Sequence, residues 1–201
     1  MFDWSQYTNY AKIQRLKKNS ILFRQGDKLN GFYYLQEGEI MISVLREDGY
    51  ERIIDFVFPG SLIGEQMVNN VASFTTATLL MDSTVYYFTK KQFERLTNEH
   101  LEASQQFGYS LIKKIRMHAT INSILNAPID VQLAHFLFNL AERTGDNVVD
   151  ITQTSIAKYL GKSRVALWKV LKEWRSEGII KISNQTIEIK DLGKLKEKSK
   201  V

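Results

Sequence analysis

A chain of 201 residues with 44% hydrophobic and 24% charged residues, two prolines and no low-complexity tract can build one large core or two small ones. The absence of cysteine excludes disulfides, thiolate metal sites, cysteine-held iron–sulfur clusters and thiol switches, and the three histidines (His100, His118, His135) all lie beyond residue 99. The formal charge of +5 is uneven, with 14 Lys/Arg against 13 Asp/Glu in residues 1–126 and 13 against 9 in residues 127–201.

From about residue 20 to 89, short apolar, aromatic and β-branched runs alternate with turn sequences: Gln25-Gly26-Asp27, Leu29-Asn30-Gly31, Glu37-Gly38-Glu39, Asp48-Gly49 and Pro59-Gly60. Period-two alternation is visible at Ile40, Ile42, Val44 and at Ile54, Phe56, Phe58. Asp48-Gly49 suits a two-residue hairpin turn, because both residues tolerate positive φ. Seven or eight strands at this spacing predict a small roll or barrel. Aromatics here serve as core or line a pocket, for which Phe56, Phe74, Leu79 and Tyr87 are candidates, with Met117, Thr120 and Ile121 beyond the strands.

Residues 97–126 change to a helical period. Thr97 or Asn98 is the candidate cap, with Glu99 and Glu102 in the first turn where negative charge favours the helix dipole. Leu101, Ser104, Gly108, Leu111, Ile115, His118, Asn122 and Leu125 form a heptad-like seam that suits a parallel homodimer, with Asn122 fixing register. A second stripe (Phe107, Ile112, Met117, Ile121, Ile124) is expected to face the β domain. The competing reading is a monomeric core helix. Asn126-Ala127-Pro128 interrupts the helix, since the residue before proline is pushed out of α geometry.

Helices are then expected at about 129–143, 154–160 and 164–177, followed by a hairpin at 179–189 with an Asn-containing turn. Thr152 and Ser163 can cap the second and third of these helices, Gly161 can end the second, and Ala157 is small where helices cross. In the third, Leu167, Val170, Leu171 and Trp174 share an inward stripe, while Arg164, Val165, Trp168, Lys169 and Lys172 share the outward one. Residues 152–182 carry seven Lys/Arg against Glu173 and Glu177, which suits nucleic acid as well as a solvated basic face. Arginine can fork onto guanine O6/N7, Lys169 and Lys172 can meet phosphates, and valine can touch a thymine methyl. Trp168 either packs on the wing or on sugars, or belongs to the local core.

The stretch 151–189 resembles the winged helix-turn-helix of the Crp/Fnr family in the spacing of Ile151-Thr152, Ile156, Gly161, Ser163-Arg164, Leu171 and Gly178-Ile179-Ile180. Upstream, Phe32 to Ile40 is similar to that family's strand–Gly–strand opening, Gly60-Ser61-Leu62-Ile63-Gly64-Glu65 to the start of its phosphate cassette, and Ile129 to Ala134 to the segment after its dimer helix. The resemblance implies an α+β protein: a cyclic-nucleotide-binding-like β-roll (jelly roll) over 1–96, a dimerisation helix over 97–126 and a winged helix-turn-helix over 127–201. It further implies a homodimer on an inverted-repeat site, with half-sites one helical turn apart. No apolar run approaches the length of a membrane span and Met1-Phe2-Asp3-Trp4 does not read as a signal-peptide start, so a cytoplasmic protein without membrane contact is expected. DNA contacts are expected from Thr152, Gln153, Ser163, Arg164, Val165, Trp168, Lys169 and Lys172. Arg164 matches a base-reading arginine and Lys169 a second reader, whereas Val165 stands where many relatives have an acidic reader. Candidate partners besides DNA are RNA polymerase and a small-molecule effector.

In that family the cassette ends in Arg-Ser/Thr-Ala, its arginine pairing with the cyclic phosphate, but here the matching residues are Thr75-Thr76-Ala77. No Lys or Arg occurs in residues 53–89, and Glu65 would repel an anion, so cyclic AMP is not expected. Haem and barrel-type metal sites need ligands that a β domain without histidine or cysteine lacks. No cofactor is therefore expected, and without a Gly-x-Ser-x-Gly, Walker or His-Glu-x-x-His motif neither is an enzyme. The alternative function is a ligand-binding module whose C-terminal domain serves protein contacts. An effector at the roll–helix junction would act by shifting the helix and, through residues 126–128, re-spacing the DNA-reading helices.

Overall fold

The computed structural model describes residues 4–183 and 186–200, for Met67 and Asn69 the backbone alone. The opening Met1-Phe2-Asp3 and the Asn184-Gln185 turn lie outside the described residues. The chain divides into two compact units, Met1–Met117 and His118–Val201.

The first unit starts with a 3-10 segment, Trp4–Tyr10, followed by eight strands: β1 (Lys12–Leu16), β2 (Ile21–Phe23), β3 (Gly31–Glu37), β4 (Ile40–Leu45), β5 (Glu51–Val57), β6 (Ser61–Ile63), β7 (Thr76–Leu79) and β8 (Ser83–Thr89). They pair antiparallel in two four-stranded sheets, ordered β1-β8-β3-β6 and β2-β7-β4-β5. Sequence-distant neighbours in both sheets give the roll that the turn spacing predicted. Its interior holds Phe23, Tyr33, Leu35, Ile40, Ile42, Val57, Ile63, Ala77, Leu79 and Val85. Alternate residues of β3 serve a second cluster, in which Phe32 and Tyr34 meet Trp4, Tyr7, Leu62, Phe88, Leu96 and Ala103. A strand covered on both faces reads as an unbroken apolar run, as Phe32-Tyr33-Tyr34-Leu35 does.

Two local expectations are corrected. A bulge between Ile42 and Ser43 shifts the alternation, so Ser43 and Ile53 are buried while Val44 and Ile54 are half-buried. Ser43 Oγ donates to Glu51 Oε1 at 2.9 Å, which satisfies it inside. At the β4–β5 turn only Gly49 has positive φ (79°); the loop closes through Gly49 N–H to Arg46 O and Arg46 N–H to Tyr50 O. This longer turn needs one left-handed residue, not two.

The expected helix over 97–126 is two helices. Helix α1 (Lys90–Glu99) ends at His100, and α2 runs from Leu101 to Ser123. Thr97 and Asn98 lie inside α1, where the Thr97 hydroxyl donates to the carbonyls of Phe93 and Glu94. Thr89 is the cap of α1: its side chain accepts from Gln92 N–H while Gln92 Oε1 accepts from Thr89 N–H. The reciprocal pair is legible as Thr-x-x-Gln.

The second unit holds α3 (Ile129–Thr144), β9 (Val148–Val149), α4 (Gln153–Leu160), α5 (Arg164–Ser176), β10 (Ile180–Ser183), β11 (Thr186–Ile189) and α6 (Leu192–Lys198). Its sheet is antiparallel in the order β10-β11-β9. Leu133, Leu137, Ile156, Leu167, Leu171, Trp174, Ile179, Ile187 and Leu195 are buried in this unit. Helix α6, capped by Asp191 on Lys194 N–H, was not expected. Among the described residues no helix is long and apolar enough to cross a membrane.

Candidate nucleic-acid interface

Thr152 and Ser163 each place a hydroxyl where the first turn of a helix has free N–H groups: Thr152 Oγ1 accepts from Ser155 N–H at 3.1 Å, and Ser163 Oγ from Ala166 N–H at 3.2 Å. Between them Gly161 takes a left-handed conformation (φ 65°, ψ 33°) and closes α4 onto Ala157 O. Glycine adopts that geometry at no steric cost, which lets the chain reverse into α5 within three residues. Ala157 is buried.

Both faces of α5 agree with the helical period. Leu167, Val170, Leu171 and Trp174 are buried; Arg164, Val165, Trp168, Lys169 and Lys172 are exposed. Of the two readings of Trp168, the local core is ruled out: it is 43% exposed against 1% for Trp174. Thr152 is exposed and Gln153 half-buried. The exposed face thus carries three cations, a valine and an indole, starting at the N-terminal turn of α5, where backbone N–H groups add positive potential.

The connection into α3 is held by a residue that sequence reading missed. Gln132, buried, donates from Nε2 to Leu125 O at 2.9 Å and to Ala127 O at 2.7 Å. Pro128 is the N-cap of α3, and α2 has already ended at Ser123, three residues before the expected 126. The signal was a glutamine on the apolar stripe of α3, among Leu133, Phe136 and Leu137.

The cassette in the first unit has unexpected electrostatics. Gly64 and Glu65 are buried, the Glu65 side chain 3% exposed. Lys114 of α2 reaches it: Nζ lies 2.7 Å from Oε1 and 2.6 Å from Oε2, and donates also to Leu62 O at 2.9 Å. Ser110 Oγ, one turn earlier, donates to Glu65 Oε1 at 2.9 Å. Lysine has three N–H donors, so all three are engaged. The cation missing from residues 53–89 therefore comes from elsewhere and is already used. Its sequence signal was position: Ala103, Phe107, Ser110 and Lys114 recur at helical spacing, and Ala103 and Phe107 pack on the roll. Phe107 was expected to face the roll and does, whereas Ile112, the next member of the expected stripe, is 47% exposed.

Thr75 is buried, its backbone N–H donating to Ser73 Oγ at 3.2 Å, and Gln66 Nε2 donates to the same hydroxyl at 3.3 Å. Thr76 Oγ1 accepts from Gln25 N–H. Of the other pocket candidates, Phe56 and Leu79 are buried and Tyr87 packs against the same cluster as Leu79. Burial raises the phenol pKa of Tyr87 and pushes that of Tyr33 up to about 12, so both stay neutral. Phe74 is instead exposed, outside the roll interior, because it lies on the loop before β7. Met117 is half-buried at the end of the first unit; Thr120, exposed, and Ile121 fall in the second. Along α2, Leu101, Ser104, Leu111, Ile115, His118, Asn122 and, just beyond, Leu125 are exposed and Gly108 is half-buried.

Comparison with known proteins bears on both units. Residues 13–100 match the profile of the cyclic nucleotide-binding domain, and residues 131–198 that of the Crp-like helix-turn-helix domain. The anaerobic regulatory protein of Haemophilus influenzae is 27% identical over 190 residues, covering 90% of this chain and 73% of that protein. The cAMP-activated global transcriptional regulator CRP of Salmonella typhimurium is 20% identical over 192 residues, 91% of each chain. Among solved structures, a CooA mutant from Carboxydothermus hydrogenoformans superposes with a TM-score of 0.80 at 22% identity, covering 100% of this chain and 93% of that one. FixK2 from Bradyrhizobium japonicum gives 0.81 at 16% identity, covering 95% and 98%.

Proposed function

This chain belongs to the Crp/Fnr family of transcription regulators, and on that premise we propose that it binds an inverted-repeat DNA site as a homodimer without needing a cyclic nucleotide. It is a DNA-binding regulator and not an enzyme. The observation that carries the DNA assignment is the α4–Gly161–α5 unit, which buries one stripe of α5 and exposes Arg164, Lys169 and Lys172 on the other. In this reading Arg164 forks onto guanine in the major groove, Lys169 reads or meets phosphate beside it, and Lys172 contacts phosphate. Thr152, Gln153 and Ser163 approach the backbone around the helix starts, where N–H groups favour phosphate.

In this reading the sensor occupies 1–96, dimerisation falls to α2 (Leu101–Ser123) within 97–126, and the DNA-binding domain is 127–201. Dimerisation is assigned to the exposed seam of α2, where Leu101 and Ile115 are 70% and 67% exposed to water in the single chain. A two-fold dimer presents two recognition helices to half-sites about one helical turn apart. The protein works in the cytoplasm.

Cyclic-nucleotide independence rests on a fit test at the cassette. A cyclic phosphate needs a cation there; Thr75 offers none, and Lys114 has spent its three donors on Glu65 and Leu62. Freeing Lys114 would leave Glu65 buried and uncompensated beside a second anion. These residues do not fit a cyclic nucleotide.

The test is selection of bound sequences from a random duplex pool by the full chain, with no ligand added. Recovery of an inverted repeat, with affinity unchanged by millimolar cyclic AMP, is expected. A folded protein that enriches no sequence, or enriches one only with cyclic AMP, would overturn the proposal.

A further inference from the structure

We propose that Val165 and Trp168 form an apolar reading patch that selects thymine, through its C5-methyl group, beside the guanine met by Arg164. The inference rests on the DNA-binding reading above and specifies which bases the interface takes. Its starting point is an imbalance on α5. The face opposite the buried stripe should be polar if it met only water, yet its first two turns expose valine at 68% and tryptophan at 43%. The two are spaced i, i+3, so they are neighbours on the helix surface with about 5–6 Å between Cβ atoms. Exposed cations flank them, with Arg164 before and Lys169 and Lys172 after. An apolar patch framed by positive charge fits a surface that is itself framed by phosphates, and the major groove is one.

Chemistry then narrows the bases. Helix-turn-helix proteins meet base edges with the N-terminal residues of the second helix, and Val165 is the second residue of α5. Valine neither donates nor accepts. Pressed against the amino group of cytosine or adenine, or against guanine O6, it would strip water from a polar group and return nothing. Thymine is the base that offers the major groove an apolar group. Trp168 broadens the contact: its ring covers a second methyl or the adjoining sugar, and its Nε1–H is a lone donor suited to thymine O4 or a phosphate oxygen. Arg164 is spaced i, i+4 from Trp168 on the same exposed face, so the guanine it meets belongs to the same half-site. The half-site therefore contains guanine together with at least one thymine whose methyl is recognised.

The probe is the duplex recovered by selection, resynthesised with deoxyuridine in place of each thymine in turn, which removes one methyl and leaves every hydrogen-bonding group. Binding by the full chain is read by fluorescence anisotropy. At least one thymine per half-site should show a loss of roughly fourfold on uracil substitution, the value of one buried methyl. Val165→Ala or Trp168→Ala should erase that difference while keeping the guanine preference. Both side chains are exposed, so these variants should melt with the wild type. Val165→Glu should exchange thymine for cytosine at the same position, because a carboxylate accepts from the cytosine amino group. If a defined operator is recovered but no uracil substitution changes affinity by more than twofold, or the effect persists in both alanine variants, the patch does not read methyls and the DNA-binding reading stands. If no operator is recovered, both fall together.

Discussion

Lys114→Met removes the cation from a carboxylate that has almost no access to water. Among the described residues, Glu65 then keeps the Ser110 hydroxyl at 2.9 Å, with its side chain 3% exposed. Breaking a buried ion pair from one side costs about 3–5 kcal/mol, because the remaining charge is left uncompensated. Lys114 is 34% exposed, so water can follow into the space it vacates and the lower end applies, about 3 kcal/mol. At about 2–4 °C per kcal/mol for a chain of this size, the melting temperature should fall by about 6–12 °C. Glu65→Gln should cost less, about 1–2 kcal/mol, since Lys114 can turn to solvent and no charge stays buried. The double variant Glu65→Leu/Lys114→Met should recover most of the loss, because an apolar pair of similar volume needs no desolvation. The assay is thermal melting followed by circular dichroism; wild type, Lys114→Met, Glu65→Leu and Glu65→Leu/Lys114→Met form the double-mutant cycle, with Glu65→Gln measured beside it. A Lys114→Met melting temperature within 2 °C of wild type, or a coupling energy near zero, would refute the argument that this pair fastens α2 to the roll.

Two substitutions separate base reading from phosphate contact. Arg164→Ala should lose about 1–3 kcal/mol of discrimination at one base position, measured by affinity for single-base operator variants; unaltered specificity would remove Arg164 from that role. Lys172→Ala should weaken all duplexes alike and lower the slope of log K against log salt by about 1. A third prediction concerns pH. Burial lowers the pKa of His135 below its ordinary 6.5, so the unfolded chain takes up this proton first as pH falls. Folded and unfolded states are both neutral there above 6.5; from 6.5 down to the lower folded pKa the wild type loses stability, and below that the penalty is constant. The melting temperature of His135→Gln should therefore fall less than that of the wild type between pH 7.5 and 5.5. Parallel curves would show that His135 does not carry the effect.

Local chemistry made the second unit legible in advance. Thr152, Gly161 and Ser163 act on backbone groups within four residues of themselves, so caps and turn follow from their order, and the two stripes of α5 follow from a 3.6-residue period. The start of α3 after Pro128 is equally local. The roll was legible as a class through its turn spacing and apolar runs, but its register was not: the bulge at Ile42–Ser43 depends on which strand lies alongside, and it buries Ile53 in place of Ile54 while Phe56 and Phe58 stay buried as expected. The helix starting at Lys90 was missed although its cap is written in Thr89 and Gln92, because the apolar seam drew attention further along.

What the sequence by itself determined is therefore the order of elements, the caps of the DNA-reading helices and the residue types they expose, all set by interactions within a few positions along the chain. It also showed that the cassette lacks its arginine. That Glu65 is nevertheless neutralised was decided only in three dimensions, by a lysine 49 positions later in the chain. The same holds for Gln132, whose two carbonyl partners fall to it through the path of the chain after α2. Charge pairing and buried hydrogen bonds depend on distance in space, not along the chain. Periodicity places a residue on a face, and only packing says what that face meets.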